Sequence, residues 1–420
     1  MSEALVETSA APEGRAVLPA AVSELVTRLP VRLQQVLPVG TALGLGARSG
    51  KLPFPLDQPR AVPTFSGTAA VYQAFRAMRL APGSVVLCPS YNCGHEIEPL
   101  IRLGLRVRCY RVGAAMETDI DDLRRRMSGD VKAVLLTHFF GFAQPMDEVR
   151  VLCDRWGALL VEDCAHALLS DNSTGTLGRV GDASVFSLRK TLPLPNGGAV
   201  LFNNSSLSVP HDLEAPPRLT TWLKSVSLAK KAAVDAARHR GSLGSIGVLA
   251  AMAPVVLANG VVRRAWPSAS PAGYDPDDED YAFASRILGW RMAPFSMEII
   301  ERTEWRTIAA RRRGNYRFLA ERLSSLSGCR VIRRDVPERV CPLFLPLAGD
   351  RPARLSELLG RQGINSAVWW DQRHPSVAWN EFPEAVDLKE RVLALPVHQD
   401  LTTDQLEYVA TALGRSLATA

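Results

Sequence analysis

Lys190 lies in the stretch FSLRKTLPLPNGGAV, residues 186–200, three residues after Ser187 and seven before Gly197-Gly198. The apolar pair Val185 and Phe186 leads in, and two prolines and an asparagine follow. That punctuation places the lysine on a short irregular turn rather than on a solvated helix face. A lysine attacks carbonyls when burial or a nearby cation lowers its pKa, and Arg189 is adjacent. The bland alternative is an exposed structural lysine.

Three further stretches carry chemistry. FSGTAAVYQAF (65–75) is a Ser-Gly-Thr turn running into a helix. The N–H groups of a helix N-terminus bind phosphate; Gly67 permits close approach, and Ser66 and Thr68 add hydroxyls. The same residues also read as an ordinary N-cap. The nucleotide P-loop pattern is absent. LLVEDCAHA (159–167) puts Glu162 and Asp163 at the end of an apolar strand, where α/β sheets bind ligands. A carboxylate there suits a protonated ring nitrogen, or a helix cap. LLTHFFGF (135–142) ends another strand with His138 and Gly141. His138, His166 and the thiols show no metal-ligand spacing, so no metal is expected.

The order matters more than any one stretch. Each motif closes a strand of one sheet, so the side chains converge on one crevice. A phosphate cradle, a ring-nitrogen carboxylate and a Schiff-base lysine are the parts that pyridoxal phosphate (PLP) needs.

The elements that position them alternate. VVLCPS (85–90), RVRCYRV (106–112), AVLLTHF (133–139), ALLVEDC (158–164), DASVFSL (182–188) and GAVLFN (198–203) read as strands. Segments 69–80, 119–127 and 146–157 read as helices between them. This predicts an α/β fold with a mostly parallel central sheet, flanked by helices on both faces. Residues 1–60 read as an N-terminal arm. Residues 61–280 form a large domain that includes a helical insertion at 206–280. Residues 281–420 form a smaller C-terminal α+β domain, with a long helical region over 297–326, a strand at 341–347, and helices at 351–363 and 404–417.

Composition excludes some classes. The 420 residues are 47% hydrophobic and 22% charged, with net charge +6, ordinary for a soluble globular chain. The basic runs Arg124–Arg126 and Arg311–Arg313 read as solvated helix faces. No aromatic-interleaved basic stripe points to nucleic acid. Seven cysteines without C-x-x-C pairs fit reduced thiols in a cytoplasmic protein. The N-terminus has no apolar signal core. The apolar stretch 245–262, broken at Pro254 and flanked by basic residues, reads as a buried or interface helix pair, with docking on a membrane surface as the second reading.

The ordered blocks SGTAA (66–70), HFFGFAQPMD (138–147), VEDCAHA (161–167), FSLRKTLPLPNGGAV and LALPVHQDLTTDQLEYV (393–409) resemble the DegT/DnrJ/EryC1/StrS family of sugar aminotransferases. The resemblance covers roughly residues 60–205 and 285–420. It implies PLP-dependent transferase fold type I and a homodimer with the site at the subunit boundary. By resemblance, Lys190 forms the Schiff base and shuttles protons, and Asp163 pairs with the pyridine nitrogen. Ser66, Gly67, Thr68 and Ser187 hold the phosphate. His166 stands where relatives have glutamine, near the phenolic oxygen. Cys93 falls where relatives carry the stacking ring, so Tyr91 is expected to stack, with His95 as the other choice. Gly289 replaces an asparagine that reaches the neighbouring subunit, leaving Trp290 and Arg291, with His138 and Arg189, as substrate contacts. The implied reaction is ping-pong transfer from an amino acid, most often glutamate, to a nucleotide-linked keto-sugar. The rival enzyme reading is a PLP-dependent sugar dehydratase, but relatives of that kind replace the lysine by histidine. A non-catalytic binding or regulatory protein on the same fold is the third reading.

Overall fold

The computed structural model describes residues 30–37, 52–172, 175–219, 221, 224–226, 228 and 285–419. The apolar stretch 245–262, most of the 206–280 insertion and much of the N-terminal arm lie outside the described residues.

The strand-like runs become β1 (Ala61–Thr64), β2 (Val85–Pro89), β3 (Arg106–Tyr110), β4 (Val131–Thr137), β5 (Leu159–Asp163), β8 (Ala183–Phe186) and β9 (Gly198–Phe202). A two-strand hairpin, β6 (Asp171–Asn172) and β7 (Gly175–Thr176), lies between β5 and β8. The seven form one sheet in the order β1-β9-β8-β5-β4-β2-β3. β9 pairs antiparallel with both neighbours, and every other pairing is parallel. β1 therefore points the same way as β8, and the C-terminal ends of β1, β2, β4, β5 and β8 share one edge.

The continuous apolar runs reflect burial on both faces. In β4, Val134 and Leu136 join a core shared with the C-terminal region, including Tyr316 and Leu345. Ala133 and Leu135 face the opposite way, into a core with Ala70, Val71 and Phe75 of the helix Gly67–Met78. That alternation is the two-residue period of a strand.

A second sheet has the order β10-β11-β13-β12, all antiparallel: β10 (Cys329–Val331), β11 (Leu345–Gly349), β12 (Ala367–Val368) and β13 (Val392–Leu395). The strand expected at 341–347 begins only at Leu345. Pro342 has no N–H to give a ladder, and the Leu343 N–H bonds to Phe140 O instead (2.9 Å). The long helical region expected over 297–326 is two helices, Pro294–Glu301 and Ile308–Leu323. Thr303 Oγ1 and Trp305 Nε1 donate to the carbonyls of Ile299 and Ile300, closing the first helix.

The run Arg311–Arg313 is not a solvated face throughout. Arg312 is buried, and its guanidinium donates to Gln399 Oε1, Gln35 Oε1 and the carbonyls of Thr191, Pro342 and Leu343. Three consecutive residues of a helix span most of its circumference, so one of a basic triplet points inward.

Candidate active site

The shared sheet edge opens into a cavity of about 300 Å³. Of the residues singled out by sequence, Ser66, Gly67, Thr68, Asp163, Ser187, Arg189 and Lys190 line it. Cys93, His95 and Glu96 add a wall from the loop after β2. The segment Ala367–Gln372, from the smaller sheet, forms the facing wall.

The phosphate-cradle candidate is built by glycine. Ser66 caps the helix Gly67–Met78, its hydroxyl accepting the Ala69 N–H at 3.1 Å. The first-turn N–H groups of Gly67 and Thr68 have no preceding helical carbonyl to bond. A Cβ at Gly67 would lie 3.0 Å from Ser187 Cβ, so only glycine lets the Ser66–Thr68 turn approach Ser187. Gly198, at the start of β9, is tighter still: its Cβ would lie 2.3 Å from Ser66 O and 2.7 Å from Gly67 N.

Asp163 ends β5 and is buried. Its Oδ1 accepts the Ala165 N–H (2.9 Å) and its Oδ2 the Thr137 hydroxyl (3.3 Å). Burial, and then the Glu96 carboxylate, push its carboxyl up to about 6. A carboxylate held this way gains from a cationic partner. Lys190 lies in the short helix Leu188–Thr191. Its Nζ is 2.8 Å from His166 Nε2. Burial, and then the Lys190 ammonium, push the His166 imidazolium well below its ordinary pKa, so the ring is neutral.

Several expected residues lie elsewhere. Tyr91 does not line the cavity. It is buried, its hydroxyl donates to Trp369 O (3.1 Å), and its ring packs against Phe139 and Trp370. His138 is enclosed: Gln144 N–H donates to Nδ1 and Nε2 meets Glu162 Oε2 at 3.3 Å, leaving no ring nitrogen for a substrate. Trp290 packs edge-on against Phe65 behind the Ser66 turn, and the exposed Arg291 donates its N–H to Glu214 O. His138, Glu162 and Cys164 lie close enough to hold a metal ion, but Glu162 is already saturated. It accepts the N–H groups of Gly178, Val180 and Gly181 besides meeting His138. Burial opposes its charge, yet these partners hold its carboxyl below the usual range.

The wall at residues 367–372 escaped the sequence reading. Its signal was the adjacent pair Trp369-Trp370, soon after the helix-ending Gly363. Trp369 Nε1 is buried without a hydrogen-bond partner among the described residues. The His166 ring packs at a tilt against Trp370, ring centroids 4.9 Å apart.

Residues 56–210, which carry the whole cradle, Asp163, His166 and Lys190, match the model of the DegT/DnrJ/EryC1/StrS aminotransferase family. Over these residues the chain is similar to that family. Aminotransferases of the family are PLP-dependent. The chain is 30% identical to a GDP-perosamine synthase of Vibrio cholerae over 142 residues, 33% of this chain and 39% of that protein. It is 23% identical over 370 residues to a UDP-N-acetyl-3-dehydro-alpha-D-glucosamine 3-aminotransferase of Acidithiobacillus ferrooxidans, covering 84% of this chain and 83% of that one. The chain spans well under half the length of several other curated relatives. Among solved structures, the aminotransferase TlmJ from Streptoalloteichus hindustanus superposes with a TM-score of 0.57 at 19% identity, over 97% of both chains. A DegT DnrJ EryC1 StrS aminotransferase from Brucella abortus gives 0.58 at 16%, over 95% of this chain and 91% of that one. These likenesses establish the PLP-dependent transferase fold expected from the sequence.

Proposed function

We propose that this protein is a PLP-dependent aminotransferase that moves an amino group from an amino acid, glutamate, to a keto-sugar carried on a nucleotide. The observation that carries the reading is the meeting of Lys190, Asp163 and the Ser66–Thr68 turn in one cavity. The donor set fits the cofactor. Free N–H groups and hydroxyls at a helix N-terminus suit a phosphate dianion. A buried carboxylate with no ion pair among the described residues suits a protonated pyridine.

When bound, PLP supplies an aldehyde that takes up amines and a ring that accepts electrons. The chain's residues do the rest. Ser66, Gly67, Thr68 and Ser187 would anchor the phosphate. Asp163 would keep the ring nitrogen protonated. Lys190 would hold the aldehyde end of the cofactor and act as the amine that carries a proton to and from the substrate carbon. His166 orients that amine through the 2.8 Å contact. Arg189, beside the lysine in the cavity lining, offers a cation to a substrate carboxylate or phosphate.

Named relatives that act on GDP-, UDP- and dTDP-linked sugars support the acceptor class. A homodimer in the cytoplasm completes the reading; no helix among the described residues is long and apolar enough to cross a membrane. The test is spectroscopic. PLP-loaded protein given glutamate converts to the pyridoxamine form, and a keto-sugar nucleotide restores the starting spectrum. No spectral change with any amino acid donor contradicts the proposal.

A further inference from the structure

Lys389 lies on the helix Pro383–Arg391 and is 1% exposed. Its Nζ donates to three backbone carbonyls, those of Asn92, Trp370 and Gln372, each at 2.6 Å. An ammonium has three N–H donors, so the three acceptors use all of them. The rings of Trp379 and Tyr91 flank the cation at 4.9 and 5.8 Å.

The acceptors have a common location. Trp370 and Gln372 belong to the segment that forms the smaller-sheet wall of the cavity. Asn92 precedes Cys93, in the loop that forms the opposing wall. One buried cation therefore ties the two walls together, yet it does not line the cavity itself. The segment it holds has no regular structure from Trp369 to His374. Trp370 adopts φ 60°, a left-handed conformation that an aromatic residue takes only when its surroundings impose it. Burial lowers the Lys389 pKa to about 8, so the fold bears a desolvation cost to keep an ammonium at the three converging carbonyls.

We propose that Lys389 is a positioning residue that fixes the spacing between the 92–96 loop and the 369–372 wall, and thereby the fit of the acceptor substrate. Its kinetic consequence rests on the aminotransferase reading above; its structural consequence does not. No step of the chemistry passes through it, because its donors are all engaged by carbonyls.

The test uses the full-length, PLP-loaded protein and Lys389→Met, which keeps a long unbranched side chain, one atom shorter, and removes the donors. Iodoacetamide labelling of Cys93, followed by peptide mass mapping, reads the opening of the walls. The expected result is labelling about tenfold faster in the variant, with acceptor KM raised about tenfold and the donor half-reaction little changed. Loss of the cation alone would slow the labelling, because a nearby positive charge favours the thiolate. Faster reaction therefore reports exposure. Lys389→Arg is the second variant, since a planar fork does not direct three N–H groups at converging carbonyls; it gives the same direction and covers a failure of the first to fold. Wild-type Cys93 labelling in a folded variant of either kind overturns the proposal. If the wild type transfers no amino group, the functional reading fails, and the labelling still decides the role of Lys389.

Discussion

The Lys190 amine and the His166 imidazole meet at 2.8 Å inside the cavity wall. Phe140 N–H approaches His166 Nδ1 at 3.3 Å, so the ring is held from the side opposite the amine. A glutamine can also hydrogen-bond the amine from this position. Lys190 orientation is therefore expected to survive His166→Gln with kcat within about threefold of wild type, while His166→Ala loses about ten- to a hundredfold. Steady-state kinetics of both variants checks this; equal losses would mean that the ring acts only by packing against Trp370.

Asp163 supplies a pH dependence with a definite sign. Its folded pKa, about 6, lies above its ordinary 3.8. Between those values the cofactor-free protein binds more protons than its unfolded chain, so its stability falls as pH rises through that window. Cofactor affinity runs the other way, because only the carboxylate pairs with a pyridinium. PLP titrations followed by fluorescence should weaken as pH drops through about 6, and Asp163→Asn should remove that step.

Gly198 is a packing prediction. Its missing Cβ leaves room for Ser66 O, which a methyl would meet at 2.3 Å. Gly198→Ala is expected to cost about 1–3 kcal/mol of stability and to weaken PLP binding by displacing the Ser66–Thr68 turn. Thermal unfolding with and without PLP measures both. The φ of Gly198 is not left-handed, so the effect is steric contact rather than backbone strain.

Arg312 tests the joint between regions. Its guanidinium holds the carbonyl that follows Lys190, that of Thr191, together with Gln35, Pro342, Leu343 and Gln399. No carboxylate is among these partners, and burial lowers its pKa. Arg312→Met strands several buried acceptors and is expected to cost about 3–5 kcal/mol, read by chemical denaturation.

The fold was legible where local pattern and tertiary demand agree. β2, β4, β5, β8 and β9 are mostly apolar runs because both faces are covered, and Asp163 and Ser187 lie at or just past their ends, with Lys190 in the short helix that follows. Legibility failed where a residue's role depends on partners far along the chain. His138, at the end of its strand, was expected as a substrate contact, yet Glu162 and Gln144 enclose it. Spacing put Cys93 at the stacking position and left Tyr91 as the nearby ring, but a carbonyl 278 residues away claims the Tyr91 hydroxyl. The Trp369–Gln372 wall left almost no local trace, because its shape is imposed by Lys389 and by strand pairing in a separate sheet. Arg312 was hidden in a basic triplet whose other members explain it well.

The most direct measurement is reductive trapping. Borohydride treatment of the PLP-loaded protein, followed by proteolysis and mass spectrometry, locates the amine that holds the cofactor. The cofactor mass should appear on the peptide containing Lys190, and Lys190→Ala should abolish it. A label on another lysine such as Lys389, or none on a protein that binds PLP, would contradict the assignment of this cavity as the active site.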